Sequence, residues 1–379
     1  MTQADSIESA SGPDSYDNFR CQLLGVESVG AAETELFSDA YFTGEIKIGP
    51  YYLINAVAIQ HRSGYFRPAI ILRFERYASQ EEVSRNWYSD TSTYHGGNIA
   101  DEIAALVALC LGVRVQAGPI IREFVPNGDP RGRPTGYESG PWPSSSPFEV
   151  TPILPWAVGQ HELSEENLGL INELHRLSSS DAATLIKAAR TYQRATWIAD
   201  SDPQISWLLL VSAVEAVTSK LEPLADPTEQ FTKCHPDLAE RLQTTGGREF
   251  LEDVARLVHP EERLARRFRQ FIINFRPDAP SARPSSGQLM WTPKSIARAL
   301  AKVYDHRSRA LHDGTPFPLP ICRAPDRLSK DAAPCEAPFM IAIRAQGGTW
   351  YHGDLPMYLH IFEYLVRGAM LNWWKSRIV

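Results

Sequence analysis

An arginine and a histidine stand five residues apart near the end of an amphipathic segment, TPKSIARALAKVYDHRSRALHDG. Ile296, Leu300 and Val303 recur at helical spacing, and Arg307 occupies the next position of that apolar stripe. A guanidinium where a core residue belongs is costly unless it is paired or faces a cleft. His312 follows about 140° further around an ideal helix. These two side chains are candidates for phosphate binding and for acid–base catalysis.

The same spacing also has an explanation without function. An arginine followed five residues later by a histidine arises by chance about once in a chain of this size. A histidine in the last turn of a helix is favoured by the helix dipole even where it has no catalytic role. Spacing alone therefore leaves two interpretations open, a catalytic pair and a solvated helix end.

Two further side chains belong to the same candidate site. Glu215 lies in ISWLLLVSAVEAV, a segment that is apolar nearly all round, so we expect it to be partly buried. A buried carboxylate must pair with a cation or stay protonated, and Arg307 is its natural partner. The alternative is that Glu215 reaches solvent or another arginine. Ser308 follows Arg307 directly and either orients the phosphate or the histidine, or is an ordinary solvated helix residue.

A basic helix face is predicted in ERLARRFRQFIINFR, where Leu264, Phe268, Phe271 and Phe275 recur at helical spacing. Its arginines lie opposite that apolar stripe and could hold an RNA backbone. The alternative is a solvated face without a partner. The candidate RNA-binding residues are Arg263, Arg266, Arg267 and Arg309.

The N-terminal part of the chain has the pattern of strands. β-Branched and aromatic residues partly alternate in YFTGEIKI, PYYLINAVAIQ and RPAIILRFERY, which predicts three strands. One helix is predicted over 98–111, with Asn98 as its N-cap and Gly112 just past its end. We therefore predict a disordered lead-in over 1–16 and an α+β domain over 17–125.

Composition changes at 126–160, where Pro, Gly and Ser are dense and predict a linker or arm. Past it the apolar period becomes helical, and we predict an all-α bundle over 161–379. Pro203 is expected to open its most apolar helix, and Thr292-Pro293 is a good cap for the helix of the candidate pair. His259-Pro260 is expected to end a short helix.

Further elements are predicted in the same half of the chain. They are a helix over 167–177, a short strand pair near FMIAIR and a last helix over 355–377. Gly314 is expected to stop the helix of the candidate pair, and Tyr304 is expected to pack rather than to take part in chemistry.

Bulk composition excludes several classes of protein. Lys+Arg 38 against Asp+Glu 45 gives a net charge of -7, which argues against coating nucleic acid by bulk charge but not against a local basic groove. Five scattered cysteines without a C-x-x-C pair indicate neither a zinc site nor a disulfide framework. The polar N-terminus is no signal peptide, and no apolar run is long enough to span a bilayer. We predict a cytoplasmic protein without metal or cofactor.

The stretch VYDHRSRALHDG resembles the signature of HEPN domains, in particular the Apea-like branch, in which an aromatic residue precedes an Arg-Ser pair and the helix ends near His-Gly. ISWLLLVSAVEAVTSK resembles the apolar, Glu-bearing helix that comes before the Arg/His helix in that branch. The resemblance covers roughly 165–379. The chain departs from the pattern at Asp313, which intervenes before Gly314, and in the length of 313–353.

The resemblance implies a metal-independent endoribonuclease of a prokaryotic antiviral defence or growth-arrest (abortive infection) system. In active members the two residues act together, usually from two protomers of a homodimer. His312 would then serve as general acid or base and Arg307 would clamp the scissile phosphate of the RNA substrate. The N-terminal half would sense a phage-derived or cellular trigger or restrain the nuclease. The alternative is a catalytically inactive HEPN-like binding or sensor module that acts through protein partners.

Overall fold

The computed structural model describes residues 12–56, 66–77, 91–126, 128–135, 152–218, 227–329, 331–345 and 347–378. Within them, an α+β region precedes a region that is mostly helical. The strands are β1 (Ser28–Ser38), β2 (Tyr41–Thr43), β3 (Glu45–Ile48), β4 (Tyr51–Asn55), β5 (Arg67–Tyr77), β6 (Gln116–Phe124), β7 (Arg133–Pro134), β8 (Gln160–Glu162), β9 (Ala342–Ala345) and β10 (Gly348–Tyr351). The helices are α1 (Asp14–Leu23), α2 (Ile99–Leu111), α3 (Glu165–Asn172), α4 (Ser179–Ile198), α5 (Pro203–Thr218), α6 (Pro227–Cys234), α7 (Pro236–Asn274), α8 (Pro293–His312) and α9 (Leu359–Arg377). None of these helices is long and apolar enough to cross a membrane.

A six-stranded antiparallel sheet, in the order β3-β4-β5-β1-β6-β7, forms most of the N-terminal region. The predicted strands over 50–60 and 67–77 are confirmed where the structure describes them, since 57–60 lie outside the described residues. The one strand predicted over 41–48 is instead divided at Gly44, where φ is 77°, into β2, which pairs with β8, and β3, which belongs to the six-stranded sheet. The central strand is β1, in which Leu36 faces Ile70 of β5. Its sequence, SVGAAETELFS, is poor in β-branched residues, so pairing on both sides rather than propensity makes it a strand.

Helix α2 connects the sheet to the helical region and confirms the helix predicted over 98–111. Asn98 Oδ1 accepts the N–H groups of Ala100 and Asp101, while the Asp101 carboxylate accepts the N–H of Asn98. Gly112 ends the helix at a φ of 68°. The helix is buried nearly all round because it lies between β6 and the helices α4 and α9.

The predicted disordered lead-in over 1–16 is wrong at its C-terminal end, because α1 begins at Asp14. Ser15 and Tyr16 are buried, and the backbone N–H of Ser15 donates to the buried Glu102 carboxylate over 2.7 Å. A carboxylate from α2 thus caps the first turn of α1, where unpaired N–H groups favour negative charge. Such a contact links residues far apart in sequence, so local polarity did not reveal it. Residues 1–11 lie outside the described part of the chain.

One continuous apolar core runs from the sheet to the last helix, across the predicted boundary at 126–160. In the helical region, the Trp207 ring is stacked between Phe317 at 5.4 Å and Phe362 at 4.9 Å, which joins α5 to α9. The α+β and helical regions are therefore packed against each other rather than separated by solvent. Since 136–151 lie outside the described residues, the linker itself stays a prediction.

Helix α7 differs from the two helices predicted on either side of His259-Pro260. It runs through Pro260, and its break lies at Gly247 instead, where φ is 75°. Glycine adopts this conformation without a Cβ penalty, whereas a proline inside a helix removes one hydrogen bond and bends the helix rather than always ending it. Phe268 and Phe271 anchor the second half of α7 in the core.

The C-terminal segment follows the predicted order. The strand pair expected near FMIAIR is confirmed as β9 and β10, which pair antiparallel with Ile343 opposite Trp350. The last helix was expected over 355–377 and begins four residues later, at Leu359. The segment expected as one helix over 167–177 forms α3 and a short 3-10 turn, Leu174–Arg176.

Candidate functional site

Helix α8 carries Arg307 at the edge of the core. The helix begins where Thr292 Oγ1 accepts the backbone N–H of Ser295, and Pro293 occupies its first turn. Ile296, Leu300 and Val303 are fully buried, as their spacing predicts. Arg307 continues that stripe, and its side chain remains 19% exposed. The helix therefore presents a guanidinium where the buried stripe reaches the surface.

Glu215 and Arg307 form the ion pair that their sequence context predicts. Arg307 Nη2 donates to Glu215 Oε2 over 3.0 Å, and the Tyr304 hydroxyl donates to Glu215 Oε1 over 2.9 Å. The Glu215 side chain is 17% exposed, so both charges are largely removed from water. The guanidinium carbon also lies 5.4 Å from the centre of the Tyr304 ring, within range of a cation–π contact. This Glu215–Arg307–Tyr304 cluster joins α5 to α8.

Most donors of Arg307 are not used by this cluster. A guanidinium has five N–H donors, and Glu215 takes one of them in the structure. Among the described residues, Arg307 Nε is buried and has no hydrogen-bond partner. Glu215 therefore fixes the position of Arg307. The buried Nε is not open to a ligand, but the part of the guanidinium that stays exposed has N–H donors that no described residue accepts.

Tyr304 contributes more than its sequence predicts. It packs against Phe268 of α7 with ring centres 5.4 Å apart, which agrees with the expected packing role. Its hydroxyl also holds one oxygen of Glu215. The signal that could have revealed this bond is the spacing of Tyr304, three residues before Arg307 and therefore on the same helix face.

His312 is the last residue of α8 and is exposed to solvent. In the part of the chain that the structure describes, it makes no hydrogen bond or ion pair, and none to Arg307. Five residues of helix separate the two by about 7 Å along the axis and about 140° around it. Gly314, at a φ of 66°, follows as the expected helix stop. One copy of the chain thus places both side chains at the same helix end without joining them.

The supporting and basic residues are spread over several positions. Ser308 is half-buried beside Arg307, and Arg309 is exposed. On α7, Arg266 is half-buried, while Arg267 is only 8% exposed. The side chain of Arg263 lies outside the described residues. Arg267 is therefore covered by protein and is not available to a partner at this surface, whereas the Arg309 side chain is exposed.

His306 is the nearest histidine to Arg307 in sequence, and it is buried. Its Nε2 lies 3.2 Å from the backbone oxygen of Asp354, and its ring packs 5.9 Å from that of Phe317. Burial lowers the pKa of His306 below its usual value, with Arg309 adding to the effect. A neutral, covered imidazole is suited to packing, so His312 is the histidine at this end of α8 that solvent can reach.

Comparisons with protein-family models, with curated proteins and with solved structures find no match for this chain. Among the residues that the structure describes, no three His, Cys, Asp or Glu side chains come together in a way that could hold a metal ion. The candidate site is therefore defined by the geometry of four side chains, Arg307, Glu215, Tyr304 and His312.

Proposed function

We propose that this chain is a metal-independent endoribonuclease of the HEPN type that acts in prokaryotic antiviral defence or growth arrest. The observation that carries the proposal is the Glu215–Arg307–Tyr304 cluster, which fixes a guanidinium at the surface end of α8 with most of its donors unused. His312 ends the same helix and is open to solvent. A fixed guanidinium can stabilise the scissile phosphate, and an accessible imidazole can transfer protons, which are two tasks in the cleavage of RNA without a metal.

In the proposed reaction, the ribose 2′-oxygen attacks the adjacent phosphorus, and the bond from phosphorus to the 5′-oxygen breaks. A neutral imidazole of His312 takes the 2′-hydroxyl proton, and a protonated imidazole returns one to the leaving 5′-oxygen. Arg307 donates to the phosphate oxygens on which charge accumulates. The products are a 2′,3′-cyclic phosphate and a 5′-hydroxyl end. Acid–base catalysis of this kind contributes about 10²- to 10⁴-fold in rate.

We propose that the active form is a homodimer. Arg307 and His312 of one copy diverge by about 140° around α8. A second copy that brings its own helix end across a twofold axis would supply two arginines and two histidines to one cleft. One imidazole could then act as the base while His312 of the partner subunit acts as the acid.

The N-terminal region is proposed to sense a phage-derived or cellular trigger in the cytoplasm and to restrain cleavage until then. The physical connection runs through packed helices, because α2 packs against α4, and α4 against α5. Helix α5 carries Glu215, which holds Arg307. A shift of the sheet or of α2 would therefore change the position of the guanidinium.

A second candidate function is favoured by the same ion pair. With its charge balanced by Glu215, Arg307 could be purely structural, and His312 makes no hydrogen bond or ion pair with another described residue. In that case the chain is a HEPN-like module without activity that serves as a sensor or assembly partner. The two proposals make different predictions for the loss of the His312 imidazole. The nuclease proposal predicts that RNA cleavage is lost, whereas the module proposal predicts that no enzymatic activity changes.

The test compares purified wild-type chain with Arg307→Ala and His312→Ala variants on total RNA in EDTA. Arg298→Ala is the matched control, since Arg298 is an exposed arginine of the same helix. We expect cleavage by wild type and control, with 2′,3′-cyclic phosphate ends, and a loss of about 10²-fold or more in both site variants.

Two outcomes would reject parts of the proposal. Abolition of cleavage by EDTA would reject the metal-free mechanism, and equal cleavage by His312→Ala would reject the role of the imidazole. Toxicity of each variant on expression in a host is measured in parallel, because a restrained enzyme stays silent without its trigger. Absence of both cleavage and His312-dependent toxicity would support the module without activity.

A further inference from the structure

A cavity lies beneath the β9–β10 hairpin, and its lining includes no residue of the Glu215–Arg307–Tyr304 cluster. It has a volume of about 550 Å³ and opens between that hairpin and the 3-10 turn Leu319–Ile321. This volume falls in the range of sites that hold small organic molecules. The nuclease proposal makes no use of the cavity.

The walls of this cavity are mainly apolar. Leu319 and Pro320 line one side, and Phe339, Met340 and Ile343 line the other. Phe339 and Met340 are 43% and 51% exposed, which is high for large apolar side chains that sit beside one another. The cavity thus presents a partly exposed apolar surface.

Charge at the cavity is concentrated at one edge and is positive. Arg323, Asp326 and Arg327 line it together, two guanidiniums against one carboxylate. Asp326 accepts Arg323 Nη2 on both oxygens at 3.0 Å and the Tyr358 hydroxyl at 2.6 Å, so both carboxylate oxygens are hydrogen-bonded. Arg327 uses Nη1 on the backbone oxygen of Ala332. Both guanidiniums retain N–H donors that no described residue accepts.

We infer that this cavity binds a small amphipathic anion, a molecule with an apolar body and one carboxylate or phosphate head. The body would occupy the space between Leu319 and Ile343, where it replaces water on apolar walls. The head would accept hydrogen bonds from Arg323 and Arg327, which charge makes strong. Asp326 keeps the first guanidinium in place, in the way that Glu215 holds Arg307 in the cluster.

The strand β9 gives the site a matched pair of test positions. Ile343 and Ala345 point into the cavity, and Arg344 points to the opposite side, because successive residues of a strand face opposite ways. Ala345→Trp would fill the cavity without touching the charged edge. Arg344→Met would remove a positive charge from the same strand without changing the cavity lining.

The first experiment titrates the full wild-type chain with four probes that share a ten-carbon tail: decanoate, decyl phosphate, decanol and decyltrimethylammonium. Binding is followed by titration calorimetry. We expect the two anions to bind about tenfold or more tightly than decanol, and the cation to bind most weakly. The ratio between decanoate and decyl phosphate identifies the preferred head group. Equal binding of all four probes, or preference for the cation, would overturn the inference.

The second experiment repeats the anion titration on variants. Ala345→Trp and the double variant Arg323→Met with Arg327→Met should each lose about tenfold or more in affinity, while Arg344→Met should keep the wild-type value. Melting temperatures report whether each variant is folded. Unchanged affinity in both site variants would overturn the inference. The result is independent of RNA cleavage, so either proposal can fail alone.

Discussion

The Glu215–Arg307 ion pair makes a testable prediction about stability. In Glu215→Gln the charge is lost and an amide oxygen remains for Tyr304 or Arg307. In Arg307→Met the guanidinium is lost and an unbranched apolar stem remains in the stripe. Each single variant leaves one partly buried charge, or one polar group, without its counterpart. The double variant removes both at once, so the two changes should not be additive.

The size of the effect follows from the distance and the exposure of the pair. At 3.0 Å and an effective dielectric constant near 20, the attraction is about 5 kcal/mol. The desolvation cost of removing about four-fifths of each side chain from water offsets more than half of this attraction. The net contribution of the ion pair should therefore be about 2 kcal/mol. This value lies above that of exposed ion pairs, which contribute under about 1 kcal/mol, and below the cost of breaking a fully buried pair, which is about 3–5 kcal/mol.

Thermal unfolding measures this contribution directly. With an unfolding entropy of about 2.1 cal/mol/K per residue over 379 residues, 2 kcal/mol lowers Tm by about 2–3 °C. We expect each single variant to lower Tm by about 2–3 °C. The double variant should lower Tm by about the same amount as one single variant, not by the sum of the two. Arg298→Met, an exposed arginine of α8, is the control and should leave Tm unchanged. A double variant whose loss equals the sum of the singles would show that the pair contributes nothing in solution.

Two further predictions concern buried charge. Burial, with Arg327 adding to it, lowers the pKa of His360 to about 3, whereas the unfolded chain binds that proton near pH 6.5. The free energy of unfolding therefore falls as the pH drops below about 6.5, and by pH 5 it has fallen by about 2 kcal/mol. In His360→Phe the fall in Tm between about pH 7 and pH 5 should be shallower, and an unchanged slope would contradict the assignment. Arg114 is buried and forms ion pairs with Asp39 and Asp200. Arg114→Met should therefore lower the free energy of unfolding by about 3–5 kcal/mol and Tm by about 4–6 °C. A change in Tm under about 1 °C would show that the two carboxylates do not need Arg114.

The parts of the fold that sequence predicts well are those set by local signals. Thr292-Pro293 and Gly314 bracket α8, and Asn98 and Gly112 bracket α2, because caps act within one turn of the helix end. The apolar stripe of α8 predicted both the buried face and the anomaly at Arg307. The partner of that arginine could be named because a helix that is apolar nearly all round leaves few other roles for Glu215.

The parts that sequence missed depend on contacts between distant residues. Ser15 is ordered by Glu102, which lies 87 residues away along the chain. The apolar core that joins the sheet to the helices crosses a segment whose composition indicates a linker. Pro260 is a stronger local signal for a helix end than Gly247, yet α7 breaks at the glycine, where no neighbouring atom opposes the turn. The periodicity of apolar residues predicts helices and strands one at a time, but it does not predict which distant residues will contact one another.

The spacing of Arg307 and His312 in the sequence likewise does not determine whether the two side chains can act on one substrate. An α-helix places residues five apart on different faces, and within one copy Arg307 and His312 form no hydrogen bond to each other in the part of the chain that the structure describes. The Glu215 and Tyr304 contacts fix the arginine within its own chain, whereas His312, exposed at the helix end, is free to meet another surface. If the pair acts as proposed, a second copy of the chain would bring the histidine of one protomer to the phosphate that the arginine of the other binds. The nuclease proposal therefore predicts a dimeric cleaving form, whereas the module without activity predicts no cleavage in any oligomeric state.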